Sequence, residues 1–239
     1  MNETALVCLS GGMDSLAALA TADINYKLAV LHFDYGQRTG AKEKQCFHEI
    51  ADWYKSPTEL RFHISTNLFK VIGTSCLTDK SIAVPKNDDP HSEDIPVSYV
   101  PFRNGNILSA ATSIAEAIGA TKIFTGFVEE DSSGYPDCRE EFVQSFYHAA
   151  DTGTKPTTHI DIESPVLHMT KGEVISYASS LNAPLPLTWS CYEKSDIACG
   201  LCDSCQLRLL GFTQAGIIDP ISYDINIDWN KCIPYDAFK

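Results

Sequence analysis

An α/β fold, a parallel sheet with helices on both faces followed by a small C-terminal metal-binding subdomain, is what three features of this sequence predict. Short apolar runs alternate with segments of helical periodicity over most of the length, the pattern of parallel strands joined by crossover helices. The first of these runs leads through Ser10-Gly11-Gly12-Met13-Asp14-Ser15 into a helix-like stretch, so that a strand, a glycine loop and a helix follow in direct succession. Towards the other end Cys191, Cys199, Cys202 and Cys205 fall in the spacing C-x7-C-x2-C-x2-C.

The apolar runs place strands near residues 5–9, 28–34, 60–64, 122–127 and 159–163. Helices lie between them. After Asn104, the residues Ile107, Leu108, Ala111, Ile114, Ala115 and Ile118 recur at helical spacing as one buried stripe, which Gly119 ends. Two later helices open with capping-box spelling, Asp137-x-x-Glu140 and Thr170-x-x-Glu173. Residues 70–101 break the rhythm with four prolines and an acidic cluster, and are expected to form a loop over a site or a small hairpin. The last stretch keeps Tyr223, Trp229, Tyr235 and Phe238, aromatics enough to pack on this chain or on a partner subunit. Three units follow: a nucleotide-binding α/β unit over 1–185, the cysteine subdomain over 186–220 and an aromatic extension over 221–239.

The glycine loop has the chemistry of a phosphate site. Adjacent glycines let backbone N–H groups converge, and the helix that follows adds its orphan donors and the positive end of its dipole. The loop lacks the Gly-Lys-Ser/Thr ending of a P-loop and the spaced glycines of dinucleotide folds. Leu9, Ser10, Gly11, Gly12, Met13, Asp14, Ser15 and Leu16 are therefore the candidate nucleotide-binding residues, and Gly12→Ala is expected to impair turnover by crowding the phosphate-facing backbone.

Four thiolates converging on one ion is the closed tetrahedral arrangement of structural zinc, and the bacterial iron–sulfur run would need a Cys-Pro that does not follow Cys205. With all four ligands supplied by protein, the metal is expected to be structural. With 31 acidic against 18 basic residues and a formal charge of −13, the chain is a poor binder of nucleic acid, whose phosphates are held through Lys and Arg. No signal-like or membrane-length apolar run appears, which points to the reducing cytoplasm, where nine cysteines are not disulfides.

Taken together these words resemble the 7-cyano-7-deazaguanine synthase family of the pyrophosphate-loop (PP-loop) ATP pyrophosphatases. The matching residues are Leu9 to Ser15, Tyr35-Gly36-Gln37-Arg38 with Glu43, Arg103-Asn104, Gly126, Asp131-x-Ser133-Gly134-Tyr135-Pro136-Asp137-Cys138-Arg139, Lys171, Trp189-Ser190-Cys191-Tyr192, and Cys199 to Cys205 with Arg208. They run in family order over most of the chain. Phe102 departs from the pattern, since members often carry Gly there, and a bulky ring beside the pocket would alter what fits.

The resemblance implies a Rossmann-like PP-loop ATPase fold and a reaction in which 7-carboxy-7-deazaguanine, ammonia and ATP give the nitrile through adenylated intermediates, with Mg²⁺ at the phosphates. Arg38, Arg139 and Lys171 are the candidates for charge on phosphate or carboxylate oxygens. Asp131 and Asp137 are the candidates for reading the base edge, with metal ligation the alternative for Asp131 and helix capping for Asp137. Tyr135 is placed to stack on the ring. Expected partners are small molecules, with a homodimer left open. The alternatives are a family-like enzyme that adenylates a deazaguanine acid to modify a protein, or a PP-loop thiolase acting on tRNA.

Overall fold

A computed structural model describes residues 3–86, 95–129 and 134–229. Five parallel strands form one sheet: β1 (Thr4–Cys8), β2 (Lys27–Asp34), β3 (Arg61–Ser65), β4 (Lys122–Phe124) and β5 (Asp161–Glu163), in the order β3-β2-β1-β4-β5. All five sit where the apolar runs predict them. The central strand pairs on both sides, with Leu6 opposite Ala29 of β2 and Ile123 of β4.

Alternation along the strands sorts the core into two layers. Ala5 and Val7 of β1 and Leu28 and Val30 of β2 face one cluster, built with α1 (Met13–Asp23), α2 (Gly40–Trp53), α6 (Lys171–Ser180) and α7 (Asp203–Gln214). Leu6, Ala29 and Leu31 face the other, under α4 (Arg103–Ile118) and α5 (Glu140–Gly153). Both faces of the central strands are covered, which is why they read as continuous apolar runs in place of an alternating pattern. The stripe of α4 is buried through Leu108, Ala111 and Ala115, and Gly119 ends the helix at φ +68. Among the described residues no helix is long and apolar enough to cross a membrane.

Of the two expected capping boxes one forms. Thr170 Oγ1 accepts from the N–H of Glu173 at 3.3 Å while Glu173 Oε2 accepts from the N–H of Thr170 at 2.9 Å, which fixes the start of α6. Asp137 does not cap α5: the N-cap is Arg139, with no side-chain hydrogen bond. Its carboxylate Oδ2 accepts instead from the N–H of Asn104 at 2.8 Å, in the first turn of α4. A helix N-terminus distant in sequence has captured the acid, a competition local spacing does not show.

The irregular stretch after β3 holds the short helix α3 (Leu68–Ile72), and no regular hairpin forms among its described residues. The acidic cluster, residues 88–94, lies outside the described residues. The loop wraps the Arg38 side chain, whose Nε donates to Cys76 O at 2.5 Å and whose NH2 donates to Asp79 O at 3.1 Å and Ile82 O at 2.5 Å.

Candidate active site

Strand order dictates where a ligand goes. The chain runs outward from β1 to β2 and β3, then returns to the far side of β1 as β4, so the order reverses at the carboxyl ends of β1 and β4, and ligands of open parallel sheets bind at such a switch. A cavity opens there, lined by the glycine loop, Glu43, Arg103, Gly126, Lys171 and Tyr192 among others.

The loop is shaped by its own serines. The N–H of Ser10 donates to Ser15 Oγ at 3.2 Å, Ser15 Oγ donates to Gly12 O at 3.0 Å, and the N–H of Gly12 donates to Ser10 Oγ at 3.2 Å. Gly12 is the N-cap of α1 and no side chain caps the helix, which leaves its first-turn N–H groups available beside the cavity. Gly11 adopts φ +92, and a Cβ there would lie 2.9 Å from Glu43 O and from Cys46 Cβ. A Cβ on Gly126, just past β4, would lie 2.4 Å from the N of Ser15, so β4 and the first turn of α1 meet backbone to backbone. We expect Gly126→Ala to lower stability by about 1–3 kcal/mol and to reduce turnover by displacing Ser15. Thermal melts and turnover rates check it, and unchanged values would show that the contact relaxes. An alanine at Gly12 has room, with Ser10 Oγ at 3.4 Å, so crowding at that position would come from a bound ligand and not from the protein.

At the first position of α6, Lys171 reaches the loop. Its Nζ donates to both oxygens of Asp14 at 2.8 Å, with the side chain largely buried. A largely buried ammonium beside a half-buried carboxylate at a helix N-terminus gives a site where incoming phosphate charge meets a cation already largely desolvated. Across the cavity the Arg103 guanidinium lies 5.3 Å from the Tyr35 ring and 5.8 Å from the Tyr135 ring, and its NH1 donates to Tyr35 Oη at 3.1 Å. Asn104 Nδ2 donates to Asp137 O at 3.0 Å and contacts Cys138 Sγ at 3.1 Å, tying this aromatic wall to the start of α4.

The four cysteines of the C-terminal spacing come together beneath this site. All are buried, and their sulfurs lie within 4.8 Å of one another. Cys199 and Cys205 Sγ are 3.9 Å apart, close to the edge of a tetrahedron of bonds about 2.3 Å long from metal to sulfur. Cys191 is held below its ordinary pKa, first by hydrogen bonds from Cys202 and Cys205, which the same contacts push up; backbone N–H groups of Cys199 and Lys194 add to the first effect. Four thiols this close cannot all ionise unaided, and a dication is what removes the conflict. The donor set therefore fits a tetrahedral soft-ligand metal. Three residues beyond Cys205, Arg208 lines the cavity with its side chain fully buried, and donates through Nε and NH2 to the two oxygens of Asp219 at 2.6 and 2.9 Å. Its NH1 donates to Thr188 Oγ1 at 2.9 Å, and the next residue, Trp189, donates its N–H to Gly11 O at 2.9 Å. The metal segment and the glycine loop are thus bonded to each other.

Residues 4–216 match the family model described as queuosine biosynthesis protein QueC. The chain belongs to that family. Its relatives include the 7-cyano-7-deazaguanine synthases of Chloroherpeton thalassium, 50% identical over 92% of this chain and 97% of the relative, and Nautilia profundicola, 49% identical over the same shares. The synthase of Campylobacter jejuni is 47% identical over 93% of this chain and 99% of its own.

Within this QueC-family chain, the residues singled out from sequence fall in different places. The loop residues Leu9, Ser10, Gly12, Met13, Asp14 and Ser15 line the cavity with Lys171. Asp137 is buried behind Asn104, and burial raises its carboxyl pKa; its carboxylate serves the start of α4 and is not among the lining groups. Arg139 is exposed at the N-cap of α5, and Arg38 is turned into the loop carbonyls, so neither guanidinium lines the cavity. Asp131 lies outside the described residues. The ring of Phe102 is also outside the cavity lining: at φ +55 the residue lays its ring over Gly105 and edge-on to Phe142, 5.7 Å away. The sequence motifs contain Glu43, Tyr35, Tyr192 and Arg103 without giving any of them a role in the site; the first turn of α2 bringing Glu43 against Gly11 is the signal that a strand-loop-helix reading could have used.

Proposed function

We propose that this chain converts 7-carboxy-7-deazaguanine and ammonia to 7-cyano-7-deazaguanine at the expense of ATP, through an acyl adenylate, an amide and a second adenylated intermediate. The observation that carries the reading is the family match over residues 4–216, joined to relatives about half identical along nearly their whole length and bearing that synthase name.

The cavity makes chemical sense of it. A carboxylate is a poor electrophile, and transfer of AMP to its oxygen supplies the leaving group. The glycine loop and the uncapped first turn of α1 would hold the pyrophosphate, and Lys171 would move from Asp14 towards phosphate as charge develops there. Mg²⁺ would arrive with ATP as counter-ion to its phosphates, with Asp14 the loop's own carboxylate for it. Arg103, between two tyrosine rings, is suited to a flat heteroaromatic ligand with a carbonyl or carboxylate edge. Asp137 acts at one remove, by placing Asn104; Asp131 remains the candidate reader of the base edge. The four-cysteine site would hold zinc, closed by protein ligands and so structural. The enzyme would work in the cytoplasm on small molecules.

A thiolase reading would require a reactive thiolate. The two cavity thiols, Cys8 and Cys138, are both pushed up to about 12 by burial and stay protonated at neutral pH. Neither that reading nor protein modification is supported by the relatives. Mass spectrometry of the base and nucleotide products after incubation with ATP, Mg²⁺, ammonium and the acid tests the proposal: nitrile with AMP and pyrophosphate is expected, whereas an amide or adenylate as end product would refute nitrile formation.

A further inference from the structure

We propose that Glu43 is the catalytic base that strips protons from nitrogen as the nitrile forms, an inference that rests on the synthase reading above. Nitrogen enters as ammonia with three hydrogens and leaves in the nitrile with none. In amidation its lone pair forms the C–N bond, the C–O bond to AMP breaks with its pair going to the phosphate oxygen, and one N–H proton is released. In dehydration of the adenylated amide two more N–H bonds break, their pairs staying between nitrogen and carbon, and AMP again leaves with the C–O pair. Each proton needs an acceptor beside the reacting carbon.

The described groups that line the cavity narrow the choice. Lys171, Arg103 and Arg208 are cations. Burial pushes the Cys8 and Cys138 thiols and the Tyr35 phenol up to about 12, and Tyr192 well above its usual value, so none of these is an anion at neutral pH. Asp14 accepts from Lys171 on both oxygens at 2.8 Å, and would serve the Mg²⁺ that comes with ATP once Lys171 turns to the phosphate. Glu43 differs in the partners it keeps. Gln37 Nε2 donates to its Oε2 at 2.8 Å and Thr39 Oγ1 to its Oε1 at 3.0 Å, two neutral donors that orient the carboxylate and leave each oxygen a lone pair. Its position is fixed against the loop, since its own carbonyl lies 2.9 Å from where a Cβ on Gly11 would be. Glu43 thus lines the cavity next to the phosphate loop, on the side where an adenylated carbon would lie close to the phosphates. Burial, and to a smaller degree Asp34, raises the Glu43 pKa, while the hydrogen bonds from Gln37 and Thr39 and the charge of Arg103 lower it; the net rise makes the carboxylate a stronger proton acceptor.

Glu43→Gln keeps the size of the side chain and an oxygen for Gln37, and its new NH₂ can donate to Thr39, so the local network survives. Three rates are measured for wild type and variant: acid-dependent ATP–pyrophosphate exchange, nitrile formation from the acid, and nitrile formation from the amide supplied directly. Exchange requires no proton from nitrogen. We expect the two nitrile rates to fall about 100-fold or more, exchange and the KM for the acid to stay close to wild type, and Glu43→Asp to recover part of the loss. Nitrile formation by Glu43→Gln at the wild-type rate would overturn the proposal. So would loss of exchange with a raised KM for the acid, which would make Glu43 a binding residue. A wild-type enzyme that makes no nitrile would overturn the synthase reading itself, and the base with it.

Discussion

Cys202→Ser is expected to remove the metal, most of the soluble protein and the activity together. The cysteine is fully buried at the N-cap of α7, with the other three sulfurs around it. Structural zinc in small sites has an apparent binding free energy of about 10–16 kcal/mol, comparable to the whole stability of a typical domain. A neutral serine hydroxyl is a much weaker ligand than a thiolate, and without the metal the three remaining thiols are left crowded together. The loss would spread because α7 carries Arg208 and packs along α6, where Gly211 lies close enough to Lys171 that a Cβ would meet it at 2.8 Å. Metal analysis of the purified variant, with turnover measured before and after a strong chelator on the wild type, checks this. A fully metallated, stable Cys202→Ser protein would contradict the four-thiolate site.

Arg208→Met is the second large effect, expected at about 3–5 kcal/mol of lost stability. Both Arg208 and Asp219 have side chains with no exposure, so removing the guanidinium strands a carboxylate that keeps only the Tyr223 hydroxyl at 2.6 Å and the N–H of Ile221 at 3.2 Å. Replacing both partners, Arg208→Met with Asp219→Leu, is expected to recover a good part of the loss, because the cost lies in the unpaired charge more than in the missing bond. Urea melts of the three proteins measure it. The single variant should also raise the KM for ATP, since Arg208 steadies Thr188 and through it the Trp189 bond to Gly11. A single variant within about 1 kcal/mol of wild type would mean that Asp219 is solvated or neutral once Arg208 is gone.

What the sequence revealed follows the range of the interactions involved. The central strands were legible because a doubly covered parallel strand is apolar throughout, the edge strands β3 and β5 from shorter apolar stretches, and the Thr170 cap because both of its partners lie within one helical turn. The loop and the cysteine set were legible because each is contiguous or nearly so. Arg38 could not be placed from sequence: its guanidinium serves carbonyls 38 to 44 residues further on, and nothing near it in sequence announces that loop. Asp137 was read for a local cap and for the base, but its oxygen went to a helix start 33 residues earlier. Glu43 was legible only as part of a motif, without a role, because its value comes from a cavity closed by segments far apart in sequence, and charge alone on the first turn of a helix reads as a surface residue. The Asp14–Lys171 pair spans 157 residues, and only the packing of α6 on α1 brings it about.

That span has a consequence for when the enzyme comes to exist. The loop that would grip ATP is synthesised well before the groups that complete it, Lys171, Trp189 and Arg208. The early part of the nascent chain therefore carries a phosphate loop with no cation beside it and a sheet still lacking β4 and β5. Catalytic competence waits for those later segments to pack against the loop and, if the four-cysteine group holds a metal as proposed, for that ion as well. Contacts of such long range also predict slow, non-local folding. If that ion is zinc, a cell short of it would accumulate chains that are fully made and unable to turn over, and supply of the ion would set how much active enzyme a given amount of message yields.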